Sequence, residues 1–276
     1  MRKLLRADIM RLVRDKVFLV SLAAIATMGV AVPVMHYFDN LNNGEAWKPD
    51  STSFIYAIFA PILLSLIASL FIGTEYSDGT MRNKIIVGHK RYHIYLAKLV
   101  SCVTASLALN LAYLIPHTAL SLILLGGFES SIMKIILYIC LNAALLTAYS
   151  SLFTLISMLC QNKAYSTACC ILLVFTLLFV GISITSALSE PEYYSGYSYT
   201  ENGITTTKMP EKNPNYLSGT KRLVYEFMND FMPGGQAIQL SNISSDKTAL
   251  LAVYDGIILL LTTACGIIVF RRKDLK

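Results

Sequence analysis

The chain has 276 residues, of which 55% are hydrophobic and only 14% are charged, and its net charge is +6. Soluble domains carry about 25% charged residues, and a chain of this length still needs a polar surface in water. The composition therefore excludes an ordinary soluble protein and predicts an all-α membrane protein. The basic residues flank apolar stretches, which indicates contact with membrane lipids and no nucleic-acid partner.

The first predicted element is an N-terminal helix over residues 1–16. At helical spacing it has an apolar face and a basic face, formed by Leu5, Ile9 and Leu12 and by Arg11 and Arg14. Such a helix lies on the inner leaflet, where its arginines meet anionic head groups. The simpler alternative is a basic flank that only sets topology. The segment is too long and too charged to begin a signal peptide, so we expect the following span to be retained.

Six apolar stretches are long enough to cross a bilayer, which takes about 20 residues. They cover Val17–Tyr37, Phe54–Gly73, Tyr95–Leu125, Ile132–Leu159, Ala164–Leu188 and Ala249–Phe270. The third stretch is too long for one straight span. Pro116 is expected to kink or break it and to leave a short outer piece from His117 to Leu125.

The distribution of basic residues predicts that both termini are cytoplasmic. Sixteen of the 23 Lys and Arg residues lie before the first span, in the loop after the second, after the fourth, or at the C-terminus. Of the seven others, five lie in the segment 189–248, where the rule is weak because long loops cross the membrane regardless of charge. This segment is therefore predicted to be extracellular.

The loop 74–94 after the second span mixes charged and apolar residues. Ser77 or Asp78 is expected to cap a short helix and Gly88 to end it. Its apolar side is expected to hold Met81, Ile85 and Ile86. A short helix just below the membrane is well placed to dock a cytoplasmic partner. A basic loop that merely fixes orientation is the simpler alternative.

The long segment before the last span is predicted to have two halves. Ser189–Asn215 is rich in Tyr, Thr, Gly and Pro and is expected to be irregular. Leu217–Met232 has apolar residues at helical spacing, which predicts an amphipathic helix on the outer leaflet. That helix is expected to end at Pro233 and to lead into the last span.

The sequence lacks recognisable motifs for nucleotide binding, catalysis or metal binding. There is no Gly-x4-Gly-Lys-Ser/Thr nucleotide loop, so no cofactor is expected in this chain. His89 and His93 have the spacing of a metal pair but no accompanying carboxylate, which argues against a metal site. Asp255 is the only acid well inside a span, and Asn110, His117 and Asn142 also lie within apolar stretches. A lone acid is poor support for a proton relay, so Asp255 is expected to hydrogen-bond a neighbouring helix.

Two sequence segments resemble the permease subunits of type-2 ABC transporters, the family that includes bacterial drug, bacteriocin and antimicrobial-peptide immunity exporters. Phe71-Ile-Gly-Thr-Glu-Tyr-Ser-Asp-Gly-Thr-Met-Arg-Asn-Lys84 is similar to the family's second-span exit and coupling helix. Phe231-Met-Pro-Gly-Gly-Gln-Ala-Ile-Gln-Leu240 resembles its segment before the last span. The order of parts agrees along nearly the whole chain, which implies a single permease domain over 1–276.

The resemblance implies that two permeases, identical or related, pair with two ATPase subunits that hold ATP and magnesium. The chain itself would be no enzyme. It would export an amphipathic peptide, drug or lipid across the bacterial cell membrane. Glu75 would anchor the coupling helix, with Arg82 as a partner. The residues implied in ATPase coupling are Glu75, Gly79, Thr80, Arg82, Asn83 and Lys84.

Two other classes of function stay open on the residues alone. One is a secondary transporter or channel that works without an ATPase and would need an ionisable path, for which Asp255 is the candidate. The other is an intramembrane enzyme that uses His89 and His93. Transport by the isolated chain without ATP would establish the first, and stoichiometric zinc in the purified protein would support the second.

Overall fold

The computed structural model describes residues 1–44, 47–201, 204–245 and 247–273, and only the backbone of 197–201 and 204–208. Its helices, in chain order, are α1 (Arg2–Val13), α2 (Lys16–Asn43), α3 (Tyr56–Ser77), α4 (Thr80–Ile86), α5 (Arg91–Leu124), α6 (Ile132–Leu159), α7 (Lys163–Ser189), α8 (Gly219–Phe231), α9 (Pro233–Ser241) and α10 (Thr248–Arg272). A 3-10 turn, Pro49–Ser51, precedes α3. Six of these helices are long and apolar enough to span a membrane: α2, α3, α5, α6, α7 and α10. The prediction of an all-α membrane protein with six spans is confirmed.

Contacts between helix ends show that the spans alternate in direction. At one end, which we call the α4 end, Arg91 at the start of α5 donates to the carbonyl of Phe270 in α10 at 3.2 Å. At the other end, the loop end, the Asp50 carboxylate accepts from the backbone N–H groups of Glu129 and Ser130 at 2.8 and 2.9 Å. Both α1 and the C-terminal end of α10 lie at the α4 end.

Pro116 does not break α5, and the separate piece from His117 to Leu125 is not formed. The helix is continuous from Arg91 to Leu124. Proline removes one backbone hydrogen bond, but a neighbouring helix can hold a proline-containing span together. Here α2 packs closely on this part of α5. A Cβ on Gly29 would lie 2.7 Å from the carbonyl oxygen of Tyr113 and 3.1 Å from the Pro116 ring.

The segment Ser189–Asn215 is more regular than predicted. Its strands β1 (Tyr193–Tyr194) and β4 (Glu211–Lys212) pair antiparallel. Between them, β2 (Tyr197–Glu201) and β3 (Ile204–Lys208) form an antiparallel pair of their own. The prediction of irregular chain was wrong because it weighed the Gly and Pro residues above the Tyr and Thr residues, which favour strands.

The amphipathic helix before the last span is confirmed as α8, but the sequence prediction missed α9. Pro233 does end the amphipathic segment, yet it also starts a second helix, where its missing N–H is tolerated. This second helix is buried and packs against α3, α6 and α7. A Cβ on Gly234 would lie 1.8 Å from the carbonyl oxygen of Leu177, and one on Gly181 would lie 2.5 Å from the backbone of Gly234. The two backbones therefore touch through glycines.

Candidate functional site at the α4 end

The short helix α4 is held by backbone geometry at both ends. Gly79 precedes it with a φ of +67°, and no side chain caps it, so the predicted capping by Ser77 or Asp78 is wrong. The predicted end at Gly88 is confirmed. With a φ of +95°, Gly88 donates its N–H to Ile85 at 2.9 Å, while His89 donates to Lys84 at 3.1 Å. This pair of bonds is the Schellman motif, which suits a glycine in the left-handed region.

The two faces of α4 differ in what they contact. Met81 is only 1% exposed, and Ile85 packs against the core beside it. Arg82 and Asn83 are exposed. Ile86 was expected on the apolar face, but it is 72% exposed. We call the outward-facing residues the α4 face, and it consists of Arg82, Asn83, Ile86 and Val87.

Behind α4 lies a buried ion cluster centred on Glu75, in the last turn of α3. Its side chain is only 2% exposed. The Lys98 ammonium donates to it at 2.7 Å, and the Lys84 ammonium donates to its two oxygens at 2.8 and 3.0 Å. Arg11 of α1 also pairs with this carboxylate. A carboxylate that accepts from three cations is held in one place by α1, α4 and α5 together.

Asp8 of α1 is the second acid of the cluster. One of its oxygens lies 2.9 Å from both Lys84 and Lys98, and the other is buried without a partner in the part of the chain that the structure describes. The Phe71 ring lies under the cluster, 4.1 Å from the Arg11 guanidinium carbon and 4.6 Å from the Lys98 ammonium. Such cation–π contacts stabilise charge that has lost water.

The cluster bears on three sequence predictions. Arg82 was the expected partner of Glu75, but it is exposed, and the partners found for Glu75 come from other positions. Lys84 was implied in ATPase coupling, either facing the ATPase or bracing it, and its side chain points inward to the two acids and does not lie on the exposed surface. Arg11 was expected on the lipid side of α1, but it reaches α3. Thr80 has a smaller part, since its hydroxyl donates to the Glu75 carbonyl at 3.2 Å.

The charge states of the cluster predict how it responds to pH. Burial opposes ionisation of Asp8, but Lys98 and Lys84 outweigh it and lower the pKa of Asp8 below its ordinary 3.8. Burial also opposes the charged form of Lys84, but Glu75 and Asp8 raise the pKa of Lys84 above its ordinary 10.5. Stability from the acid is lost as pH falls through its folded pKa, and stability from the amine is lost as pH rises through its folded pKa.

We therefore expect an Asp8→Asn substitution to lower the thermal unfolding midpoint at neutral pH and to matter progressively less as the pH falls below the ordinary pKa of 3.8 toward the lower folded pKa of Asp8. Unfolding scans of both proteins in the same detergent between pH 3 and 9 measure this. An effect of equal size at every pH would contradict the assignment of Asp8 as a paired anion.

The polar residues inside the spans have different surroundings. Asn110 of α5 accepts from the Tyr56 hydroxyl of α3 at 3.0 Å, which joins two spans. Asn142 donates to the Tyr138 carbonyl at 2.9 Å within its own helix. Asp255 is 3% exposed, and neither of its oxygens has a partner among the described residues. The expected hydrogen bond from Asp255 to a neighbouring helix is therefore wrong.

The sequence prediction missed Asp8, Arg11 and Lys98 as members of the cluster. A signal for two of them was present. Lys98 is a basic residue inside an otherwise apolar span, and such residues mark functional or structural pairing. Asp8 lies between Leu4 and Leu12 on the buried face of α1, where an acid needs a partner.

The six spans make the chain a multi-pass membrane protein. At the α4 end, buried charges join the spans to the peripheral helix α1 and to the short helix α4, which together form a structured surface. Residues 4–179 match the family described as "ABC-2 family transporter protein". This match covers well over half of the chain, so the chain belongs to the ABC-2 transporter family. Comparison with curated proteins gave no match.

Family membership makes the chain a membrane permease component of an ABC transporter, and it implies association with ABC ATPase partners. Such a component is generally not itself catalytic. The matched residues include most of α1, the α4 face and the whole ion cluster, whereas α8, α9 and α10 lie beyond them. In the described residues no group of three or more His, Cys, Asp or Glu side chains has a geometry that suits a metal ion.

Proposed function

We propose that the α4 face binds a separate ATPase and that the ion cluster transmits its movement to the spans of an exporter. The observation that carries this proposal is the arrangement of α4, with a solvent-facing surface on one side and Lys84 on the other. Lys84 bonds Glu75 of α3 directly, and Lys98 places α5 on the same carboxylate. A force on α4 would therefore reach α1, α3 and α5 without passing through a flexible loop.

The surroundings of the cluster support a rigid connection. Removing water from ionic groups strengthens their interaction, and an acid held by three cations has few other arrangements of similar energy. ATP binding can move the spans only if the ATPase binds one of their arrangements more tightly than the other. A rigid link between α4 and the spans lets that difference in binding act on the whole bundle.

The remaining parts of the proposal follow from the family and from the basic residues. The α4 end faces the bacterial cytoplasm, with both termini there, and the segment 189–248 is outside. Two ATPases, which hold ATP and magnesium, act on two permeases, identical or related. The substrate is an amphipathic peptide, drug or lipid, since the exposed surfaces of the spans are apolar and a substrate between two permeases would contact such surfaces.

The α4 face provides the test. Ile86→Asp combined with Arg82→Glu is expected to abolish co-purification with the ATPase and to leave the thermal unfolding midpoint of the permease unchanged within about 2 °C, because both side chains are exposed. The ATPase is the protein that co-purifies with the unaltered permease, identified by its nucleotide-binding loop. The measurements are a pull-down on the tagged permease and an unfolding scan.

Ile132→Asp is the matched control, because Ile132 is 77% exposed but lies at the loop end. It is expected to keep the ATPase bound. Full ATPase binding by the α4-face variant would contradict the proposal, and so would equal loss of binding in the control.

A further inference from the structure

A second surface at the α4 end is independent of the α4 face. A cavity of about 630 Å³ lies between the start of α5 and the end of α10. Its lining consists of Lys90, Arg91, Tyr92, Ile267 and Arg271. Three of these five residues are basic, and none is acidic. The cavity therefore concentrates positive charge at the point where two spans leave the apolar part of the bundle.

The three basic side chains of the cavity differ in whether they already have partners within the protein. Arg91 is committed to the structure, since its guanidinium donates to the backbone carbonyls at the end of α10, among them Phe270 at 3.2 Å and Arg271 at 3.4 Å. Lys90 and the Arg271 side chain are exposed. Over the described ranges 1–44, 47–201, 204–245 and 247–273, no ion pair joins either of them to an acid. These two charges are therefore available to a ligand.

The neighbourhood of the cavity indicates what kind of anion fits. Ile267 forms its apolar wall, and Leu260, two turns earlier on the same face of α10, is 70% exposed. Tyr92, which is 41% exposed, lies at its rim. A ligand here would meet cations at one end and an apolar helix surface at the other. Basic pockets between spans bind anionic lipid head groups for this reason.

We propose that this cavity binds the phosphate of an anionic phospholipid, with Lys90 and Arg271 as the phosphate ligands and its acyl chains along the exposed face of α10. The lipid would join α5 to α10, which Arg91 already connects from the inside. The proposal does not depend on the binding of an ATPase to the α4 face.

The test uses the purified full-length permease in a neutral detergent. Dihexanoyl phosphatidylglycerol is titrated, and the rise of the thermal unfolding midpoint gives an apparent Kd. Saturable stabilisation is expected with this lipid and none with dihexanoyl phosphatidylcholine or inorganic phosphate. Lys90→Gln and Arg271→Gln are each expected to weaken binding about fivefold, and the double variant about 30-fold, the loss for one and two basic residues near an anionic surface.

Arg272→Gln is the matched control, because Arg272 is the next residue of α10, carries the same charge and lines a different cavity with Leu159 and Lys273. It is expected to bind phosphatidylglycerol as the unaltered protein does. Equal weakening in the control would mean general attraction to basic residues and would overturn the site. Stabilisation by inorganic phosphate alone, or by both lipids equally, would also overturn it.

A partner protein is the competing occupant. If the double variant keeps its affinity for phosphatidylglycerol but loses the ATPase in a pull-down, the cavity belongs to the protein interface and the lipid proposal fails. If either variant is too unstable to purify, Arg271→Lys keeps the charge but loses the forked guanidinium, so it is expected to weaken lipid binding by less than the roughly fivefold loss that removal of the charge would cause. A loss of binding greater than tenfold in Arg271→Lys would also count against the site.

Discussion

Replacing Glu75 with alanine is expected to lower the free energy of unfolding by about 3–5 kcal/mol, the usual result of removing one partner from a buried ion pair. The substitution leaves Arg11, Lys84 and Lys98 with Asp8 as the remaining acid of the cluster. The charge of Lys98 would be destabilised most, because its side chain is 0% exposed. Equilibrium unfolding of the purified permease by a denaturing detergent measures the change.

Asp78→Ala is the control, because Asp78 is an exposed acid that follows the last turn of the same helix. It is expected to change the free energy of unfolding by less than about 0.5 kcal/mol. Similar effects of the two substitutions would show that the cluster does not hold α1, α4 and α5 together.

A double-mutant cycle separates the interaction energy between Glu75 and Lys98 from the cost of losing each side chain alone. Lys98→Met removes the buried cation and keeps a long side chain. If Glu75 and Lys98 interact as the 2.7 Å contact indicates, the double variant should be more stable than the sum of the single changes by about 1–3 kcal/mol. Additive effects would argue against a direct interaction.

In the complex, Glu75→Ala should also lower ATP hydrolysis by the partner, because α4 would no longer be fixed to α3.

The second large effect is expected at the contact between α7 and α9. Gly234→Ala would place a Cβ 1.8 Å from the Leu177 carbonyl oxygen, where backbone atoms must move apart. Overpacking of this kind costs about 1–3 kcal/mol, and more where backbone is the obstacle. We expect α9 to leave its site between α3, α6 and α7, which limited proteolysis of the protein in detergent detects as new cleavage near residues 233–241.

Gly256→Ala is the matched control, since Gly256 lies inside a span and its Cβ would meet no atom within 4 Å. Alanine is the better helix former by about 1 kcal/mol, so this variant should be as stable as the unaltered protein or slightly more stable. Unchanged protease resistance in Gly234→Ala would contradict the close packing of α9.

The spans could be predicted from the sequence because hydropathy depends on local composition alone. The end of the short helix at Gly88 could also be predicted, because a glycine that follows a charged helical turn is a local signal. Pro233-Gly-Gly was misleading. The same residues that end a helix also allow the backbone of α9 to approach α7, and only the three-dimensional packing decides between these two uses.

The ion cluster could be predicted only in part. Glu75 was identified by its resemblance to a family position, but its partners are Arg11, Lys84 and Lys98, which are 64, 9 and 23 residues away in the sequence. Their meeting depends on how α1 lies across the ends of α3 and α5. Helical spacing places a residue on a face but does not say which neighbouring helix that face will contact.

The same cluster has a consequence for the synthesis of the chain at the ribosome. The chain is made from its N-terminus, so Asp8 and Arg11 emerge long before Lys98. Glu75 and Asp8 share two cations, Lys84 and Lys98, and Lys98 is missing until the start of α5 has been synthesised. The cluster is therefore complete only once α1, α3, α4 and α5 are all in place. A nascent chain in which α5 is misplaced would leave Glu75 and Asp8 without Lys98 and would carry the cost of incompletely paired, poorly hydrated charges.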